Sequence, residues 1–456
     1  MLGALGRKWS LDFASLLVAL VAAGGCNTRH ESPATAASAH SVAVPSTAAP
    51  TSAGAQNADP SASAAARAEP SPALVAKAKE LTHKFIVLDG HVDVPWRLDE
   101  SRDPDGSISE DVSHRTPKGD FDWERAREGG LSAPFMSIYV PSKYEDAGAK
   151  KIADRLIDMV VGFSQKWPDK FALAKNPSEV RANFAAGKVS LAMGMENGSP
   201  IEHDLANIRH FYERGIRYIT LAHSKDNHIS DSSYDDKHTH KGLSDFGKQV
   251  VAEMNRLGIM VDVAHVSDDT FWQVMDVSKV PVIASHSSCR YFTPGFQRNV
   301  SDEMIQALAK KKGVIQINFG SGFIDEQAQK QQDIMRKEVE AILKSKGLEF
   351  GDPKAKPFLA EFRASHPRKF ATVEQVADHI DHVKKLVGID HVGLGSDFDG
   401  VGDSLPAGLK DVSQYPNLIR VLLERGYSEQ EIEKVCSGNV LRVWQAVEDY
   451  ARTATH

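Results

Sequence analysis

Phe85-Ile86-Val87-Leu88-Asp89-Gly90-His91-Val92-Asp93 is an apolar, β-type run that ends in a His-x-Asp pair. Side chains two apart on an extended chain point to the same side, so His91 and Asp93 are expected to project together from one strand end, as half of a metal site. Alone the pattern is weak, because a His beside an Asp is more often a simple hydrogen-bonded pair. Its weight comes from repetition.

Short β-rich runs recur at Phe85–Leu88, Ala133–Val140, Val189–Met195, Ile216–Leu221, Ile259–Ala264, Pro281–Ala284, Gly313–Phe319 and His391–Gly395. Between most of them lie amphipathic stretches with apolar residues at helical spacing, such as SDFGKQVVAEMNRLG and VEQVADHIDHVKKLVG. Alternating strands and helices in this number predict an α/β fold, a (β/α)8 TIM-type barrel spanning residues 71–456. The segment from Gln327 to Lys369 fits no strand–helix unit. It reads as a helical insertion after the seventh strand, placed as a flap over the site.

The front of the chain concerns address. Arg7 and Lys8 precede an apolar stretch, Phe13–Ala23, too short to span a bilayer and laid out like an export signal. Residues 1–26 end in Ala-Ala-Gly-Gly-Cys, so Cys26 is expected to carry a lipid that anchors an exported protein at a membrane of the cell envelope, in the manner of a bacterial lipoprotein. Residues 27–70 are rich in Ala, Ser, Pro and Thr and cannot bury enough surface to fold, which makes them a tether. Three cysteines in 456 residues make no disulfide scaffold, and Cys289 and Cys436 are expected as buried free thiols. A dispersed net charge of −7, with no basic cluster interleaved with aromatics, excludes nucleic acid as a partner.

Metal-ligand residue types then fall at one strand end after another. His91 and Asp93 follow the first strand, Glu196 the third, His223 the fourth, His265 the fifth, His286 the sixth and Asp397 the eighth. All sit at C-terminal strand ends, the face on which barrels of this type build their sites. One such His is usually structural; six strand ends converging on the same rim are hard to explain as packing. A nitrogen and oxygen donor set suits zinc, and two ions sharing a carboxylate would use these ligands economically in hydrolysis. Asp262, on the strand before His265, is expected to orient a ligand from behind.

The strings DGHVDVPW, GMENG, LAHS, VDVAHVS, SHSS with QRNV, GSDFDGV, KDVSQYPNL and SGNVLRVW together resemble the membrane (renal) dipeptidases, zinc-dependent members of the amidohydrolase-like barrels. The resemblance implies two zinc ions bridged by Glu196, with His91 and Asp93 on one and His265 and His286 on the other. It implies that His223 binds substrate and steadies the oxyanion, that Asp397 moves the proton between water and leaving amine, and that Arg298 grips the free carboxylate of a dipeptide. A homodimer and tolerance of a D-residue at the carboxyl side are further implications. Asn197-Gly198-Ser199-Pro200 departs from the Gly-Gly-His common in relatives, and the loop 235–242, DDKHTHKG, is an addition. His238 and His240 there could suggest a third metal site, though a flexible polar lid is the expectation. Two other readings remain open: an amidohydrolase acting on N-acyl amino acids or lactones, and a lipoprotein that binds peptides without turnover.

Overall fold

A computed structural model describes residues 70–348 and 353–454. The signal segment, Cys26 and most of the tether lie outside these residues. Eight parallel strands close into a barrel: β1 (Val87–Val92), β2 (Leu131–Tyr139), β4 (Val189–Glu196), β5 (Ile216–Thr220), β6 (Met260–Asp262), β7 (Ile283–Ala284), β8 (Val314–Ile317) and β9 (Val392–Leu394). Closure comes from the pairing of β2 with β4. The strand between them in sequence, β3 (Phe171–Leu173), was not expected. It pairs with the first residues of β4, and β2 takes over the same edge from Ala192 onward, so β3 lies outside the barrel.

The helices are specified locally as well as by their apolar faces. Ser244, Ser267, Ser301 and Thr372 each cap a helix by accepting a backbone N–H of the first turn. Such a cap is worth about 1 kcal/mol. The two amphipathic stretches become helices Asp245–Leu257 and Val373–Val387, as their periodicity predicts.

Two apolar cores serve the barrel among the described residues. The larger lies between the barrel and its helical ring. The smaller gathers Leu88, Ala133, Phe135, Ala192, Tyr218, Met260, Ile283 and Val314 from the strands, with Trp444 and its neighbours on the last helix, Asn439–Ala454. That helix thereby plugs the barrel; Trp444 stands 5.1 Å from the Phe135 ring. Cys289 and Cys436 are buried and unpaired, as expected.

The insertion is helical, with Glu326–Ser345 and Lys356–Ser365 packed on a small core of their own formed by Val339, Leu343, Ala355 and Phe362. No helix among the described residues is long and apolar enough to cross a membrane.

Candidate metal centre

β1 carries its ligands differently from the simple strand-end expectation. His91 lies inside the strand, and Asp93, with φ −91° and ψ 24°, has already turned to cap the helix Val94–Glu100. The Asp93 amide donates to Phe398 O at 2.8 Å, which ties this corner to the exit of β9. The pair still meets: His91 Nε2 lies 3.3 Å from Asp93 Oδ2 and 3.3 Å from Glu196 Oε2.

Glu196, the last residue of β4, is the hub. Its Oε2 faces His91, while Oε1 lies 3.1 Å from His265 Nε2, 3.4 Å from His286 Nε2 and 3.4 Å from His223 Nε2. One carboxylate therefore presents its two oxygens to different imidazoles. The donor atoms form three overlapping groups, His91–Glu196–His286, Glu196–His223–His265 and His91–Asp93–Asp397, each within 4.8 Å. His223 thus stands closer to the ligand cluster than its expected substrate role required.

Strained backbone accompanies this convergence. Asn197, His265 and Asp397 adopt φ of 74°, 66° and 63°. A left-handed non-glycine residue costs roughly 1–2 kcal/mol, and three of them on one rim mark a site held against local preference.

Groups behind the ligands fix their orientation. Tyr218 donates its hydroxyl hydrogen to Gly90 O at 3.1 Å, so His91 Nδ1, 2.8 Å away, must be the donor to Tyr218 and Nε2 the lone pair. Gly194 makes room for that tyrosine, since a Cβ there would collide with the Tyr218 ring. Ser285 Oγ donates to Asp262 Oδ2 at 2.7 Å and so accepts from His286 Nδ1 at 2.7 Å, which again leaves Nε2 free to coordinate. Asp262 therefore orients a ligand as expected, through Ser285 and with a further hydroxyl from Thr220. Gly400 clears space for Asp93 and Asp397 together, because a Cβ would meet both carboxylates.

The electrostatics suit a cation. Burial works against ionised Glu196, but the surrounding imidazoles of His91, His223, His265 and His286 hold it well below the usual carboxylate range. Burial lowers His223, and it keeps His265 and His286 neutral. Burial opposes charge on His91 too, yet Tyr218, Glu196 and Asp93 outweigh it and raise its pKa, so a cation bound at Nε2 would take the place of a proton there. His91 Nε2 and Asp93 Oδ1 are buried with no hydrogen-bond partner among the described residues. Such orphans are costly unless something binds them. Imidazoles and carboxylates with no cysteine among them fit zinc or a similar divalent ion.

Asp397 accepts from Asn318 Nδ2 at 2.8 Å, and burial, reinforced by Asp93, pushes its carboxyl up to about 7. Arg298 is buried, contrary to the ordinary expectation for a loop arginine. Its Nη1 donates to Ser287 Oγ at 2.6 Å and Nη2 to His286 O at 2.9 Å, while Nε has no partner and no carboxylate pairs with it among the described residues.

A cavity of about 260 Å³ opens on Asp93, Glu196, His223, His265 and Asp397. Its far wall is the insertion, with Met335, Val339 and Phe362, so the expected flap does cover the site. The loop 235–242 does not act as the expected lid. Asp226 and Asp231 accept its backbone N–H groups, from Thr239, His240 and Gly242, and it lines none of the cavity. His238 and His240 join no metal-binding group among the described residues; His240 Nε2 contacts Asn227 O instead. Tyr218, Ser285 and Asn318 went unread in the sequence, and Gly194 was the one available hint.

Fold and site together define a metal-dependent hydrolase of the (β/α)8 class, built on the C-terminal rim of its barrel. More narrowly, the chain belongs to the membrane dipeptidase family, peptidase family M19, whose sequence profile matches residues 75–456. An uncharacterized dipeptidase of Schizosaccharomyces pombe is 34% identical over 81% of this chain and 82% of its own length. Dipeptidase 3 of Rattus norvegicus is 32% identical over 82% of this chain and 67% of its own. Among solved structures, a metallopeptidase from Rhodobacter sphaeroides, liganded with a phosphinate mimic of the dipeptide L-Ala-D-Ala, superposes with a TM-score of 0.64 at 26% identity, covering 80% of this chain and 99% of that one. The metallopeptidase dipeptidase AC gives a TM-score of 0.65 at 26% identity, covering 80% and 98%.

Proposed function

We propose that this dipeptidase works with two zinc ions bridged by Glu196, one held with His91 and Asp93 and the other with His265 and His286. The observation that carries the reading is the split of the Glu196 carboxylate, with Oε2 3.3 Å from His91 and Oε1 3.1 Å from His265. When bound, such a pair of ions acidifies a water and polarises the scissile carbonyl.

The chain's own groups supply the rest. Asp397, whose carboxyl is pushed up by burial and by the neighbouring Asp93, takes a proton from the attacking water and returns it to the leaving amine. His223, kept neutral by burial, donates an N–H to the carbonyl oxygen as charge develops there. Arg298, a buried guanidinium without a counter-ion among the described residues, receives the substrate's free carboxylate. Tolerance of a D-residue at the carboxyl side draws support from the Rhodobacter relative and its L-Ala-D-Ala mimic. The anchor at Cys26 belongs to the same reading and places the enzyme at the cell envelope; Cys26→Ser should move it from the membrane fraction to the soluble one.

The test is a panel of L,L- and L,D-dipeptides, N-acyl amino acids and lactones, run on chelator-stripped and zinc-reconstituted protein. Dipeptide cleavage that disappears on stripping and returns with zinc is expected. Undiminished cleavage by protein verified metal-free would reject the proposal, as would turnover confined to lactones or N-acyl amino acids.

A further inference from the structure

The two walls of the cavity differ in charge. Asp93, Glu196 and Asp397 line the barrel end, whereas Arg336, Arg363, Arg368 and Lys369 line the insertion end. Two of these cations have partners: Arg336 pairs with Glu340 at 2.8 Å, and Lys369 Nζ donates to Gln327 Oε1 at 3.1 Å. Arg363 and Arg368 are different. Among the described residues, neither guanidinium takes part in an ion pair or a hydrogen bond. Arg368 is half-buried, which disfavours its charge, whereas Arg363 is exposed; Asp403 attracts Arg368 from beyond ion-pair distance, and Arg363 repels it. A cavity wall that gathers two like charges, neither with a carboxylate at ion-pair distance among the described residues, is stabilised when an anion enters.

The main-chain carboxylate of a dipeptide already has a receptor at the barrel rim, in Arg298. The cations across the cavity are therefore left for another group. We infer that Arg363 and Arg368 form a subsite for a second carboxylate, so that the enzyme favours dipeptides carrying an acidic side chain. This rests on the dipeptidase reading above. Planar guanidinium groups suit a carboxylate in two-pronged fashion, and a charge-assisted contact of that kind changes binding by about tenfold or more. Selectivity of this sort would belong to the insertion, while the chemistry belongs to the barrel.

The experiment compares kcat/KM for Asp-Ala against Asn-Ala and for Ala-Asp against Ala-Asn, with Ala-Ala measured on every variant. Wild type should favour the acidic member of at least one pair by about tenfold, through KM, and the preference should shrink as ionic strength rises. The double variant Arg363→Gln/Arg368→Gln should bring that ratio close to one, and Arg368→Glu should turn the preference toward Lys-Ala or Ala-Lys. Turnover of Ala-Ala by the variants shows that they are folded. A wild-type ratio near one in both pairs overturns the inference, and so does an unchanged ratio in the double variant. If the double variant loses equally on all substrates and becomes indifferent to C-terminal amidation, the wall holds the main-chain carboxylate and the inference is again wrong. Failure of wild type to cleave any dipeptide would remove the dipeptidase reading, and the inference with it.

Discussion

At the barrel rim His91, His286 and Asp397 are each held from behind by a second polar group, whereas the insertion that faces it across the cavity is a small helical pair with its own core. His91 is steered by Tyr218, His286 by Ser285 and Asp262, and Asp397 by Asn318. The insertion offers Val339, Leu343, Ala355 and Phe362 as its interior, and of its four cavity-facing cations Arg336 and Lys369 have partners while Arg363 and Arg368 have none among the described residues. Precise placement is needed where bonds are made, and preorganised neighbours provide it. A wall that only selects among substrates can be looser.

The comparison can be broken first at the proton carrier. Asp397→Asn keeps the shape of the side chain but removes the carboxyl that burial and Asp93 push upward. kcat should fall by roughly 10²–10⁴-fold, the usual weight of a general acid–base, with metal content retained. A loss below tenfold would assign the proton transfer elsewhere.

At Arg298, replacement by Ala should reduce kcat/KM by about 10–100-fold, since a charge-assisted contact contributes about 1.5–3 kcal/mol. Amidating the dipeptide's C-terminus should cost wild type a similar factor, and the two losses should not add, because each deletes the same contact. Additive losses would show that Arg298 does not hold the carboxylate.

Ser285→Ala probes the support behind a ligand. Removing the hydroxyl that receives His286 Nδ1 should weaken zinc affinity by about 10–100-fold, measured against a chelating dye, as losses of such supporting groups do. Unchanged affinity would show that the relay from Asp262 does no orienting.

The smallest effect on chemistry is expected in the insertion. Phe362→Ala removes a side chain from its isolated core, a change of about 3–5 kcal/mol where packing is complete. Hydrogen exchange should rise in the helices Glu326–Ser345 and Lys356–Ser365 while the midpoint of barrel unfolding stays nearly constant. A parallel loss of barrel stability would mean the two regions fold as one unit.

What was legible in the sequence followed the same division. The barrel strands are hydrophobic enough to stand out, and the His, Asp and Glu residues at their ends converge in three overlapping groups of donor atoms. The three-residue β3 carried too little pattern to be seen. Asp93 suits an extended strand end in the sequence but takes the N-cap position of a helix, because Val94-Pro95, the first helical residues, also suit an extended chain. Tyr218 and Ser285 act across strands, and spacing along one strand says nothing of what the next brings beside it. The burial of Arg298 depends on loop packing against Ser287 and His286, which no periodicity reports. The loop 235–242 looked loose by composition, yet its neighbouring aspartates accept its amides and tie it down.

The central claim is that Glu196 is shared between two ions, and metal stoichiometry of Glu196→Ala tests it most directly. Metal-free wild type and variant would be dialysed against buffered zinc and analysed by elemental mass spectrometry, with circular dichroism to confirm folding. The account predicts two zinc ions per wild-type chain and loss of tight binding at both positions in the folded variant. A variant that keeps one ion at wild-type affinity would contradict the shared carboxylate and with it the proposed centre.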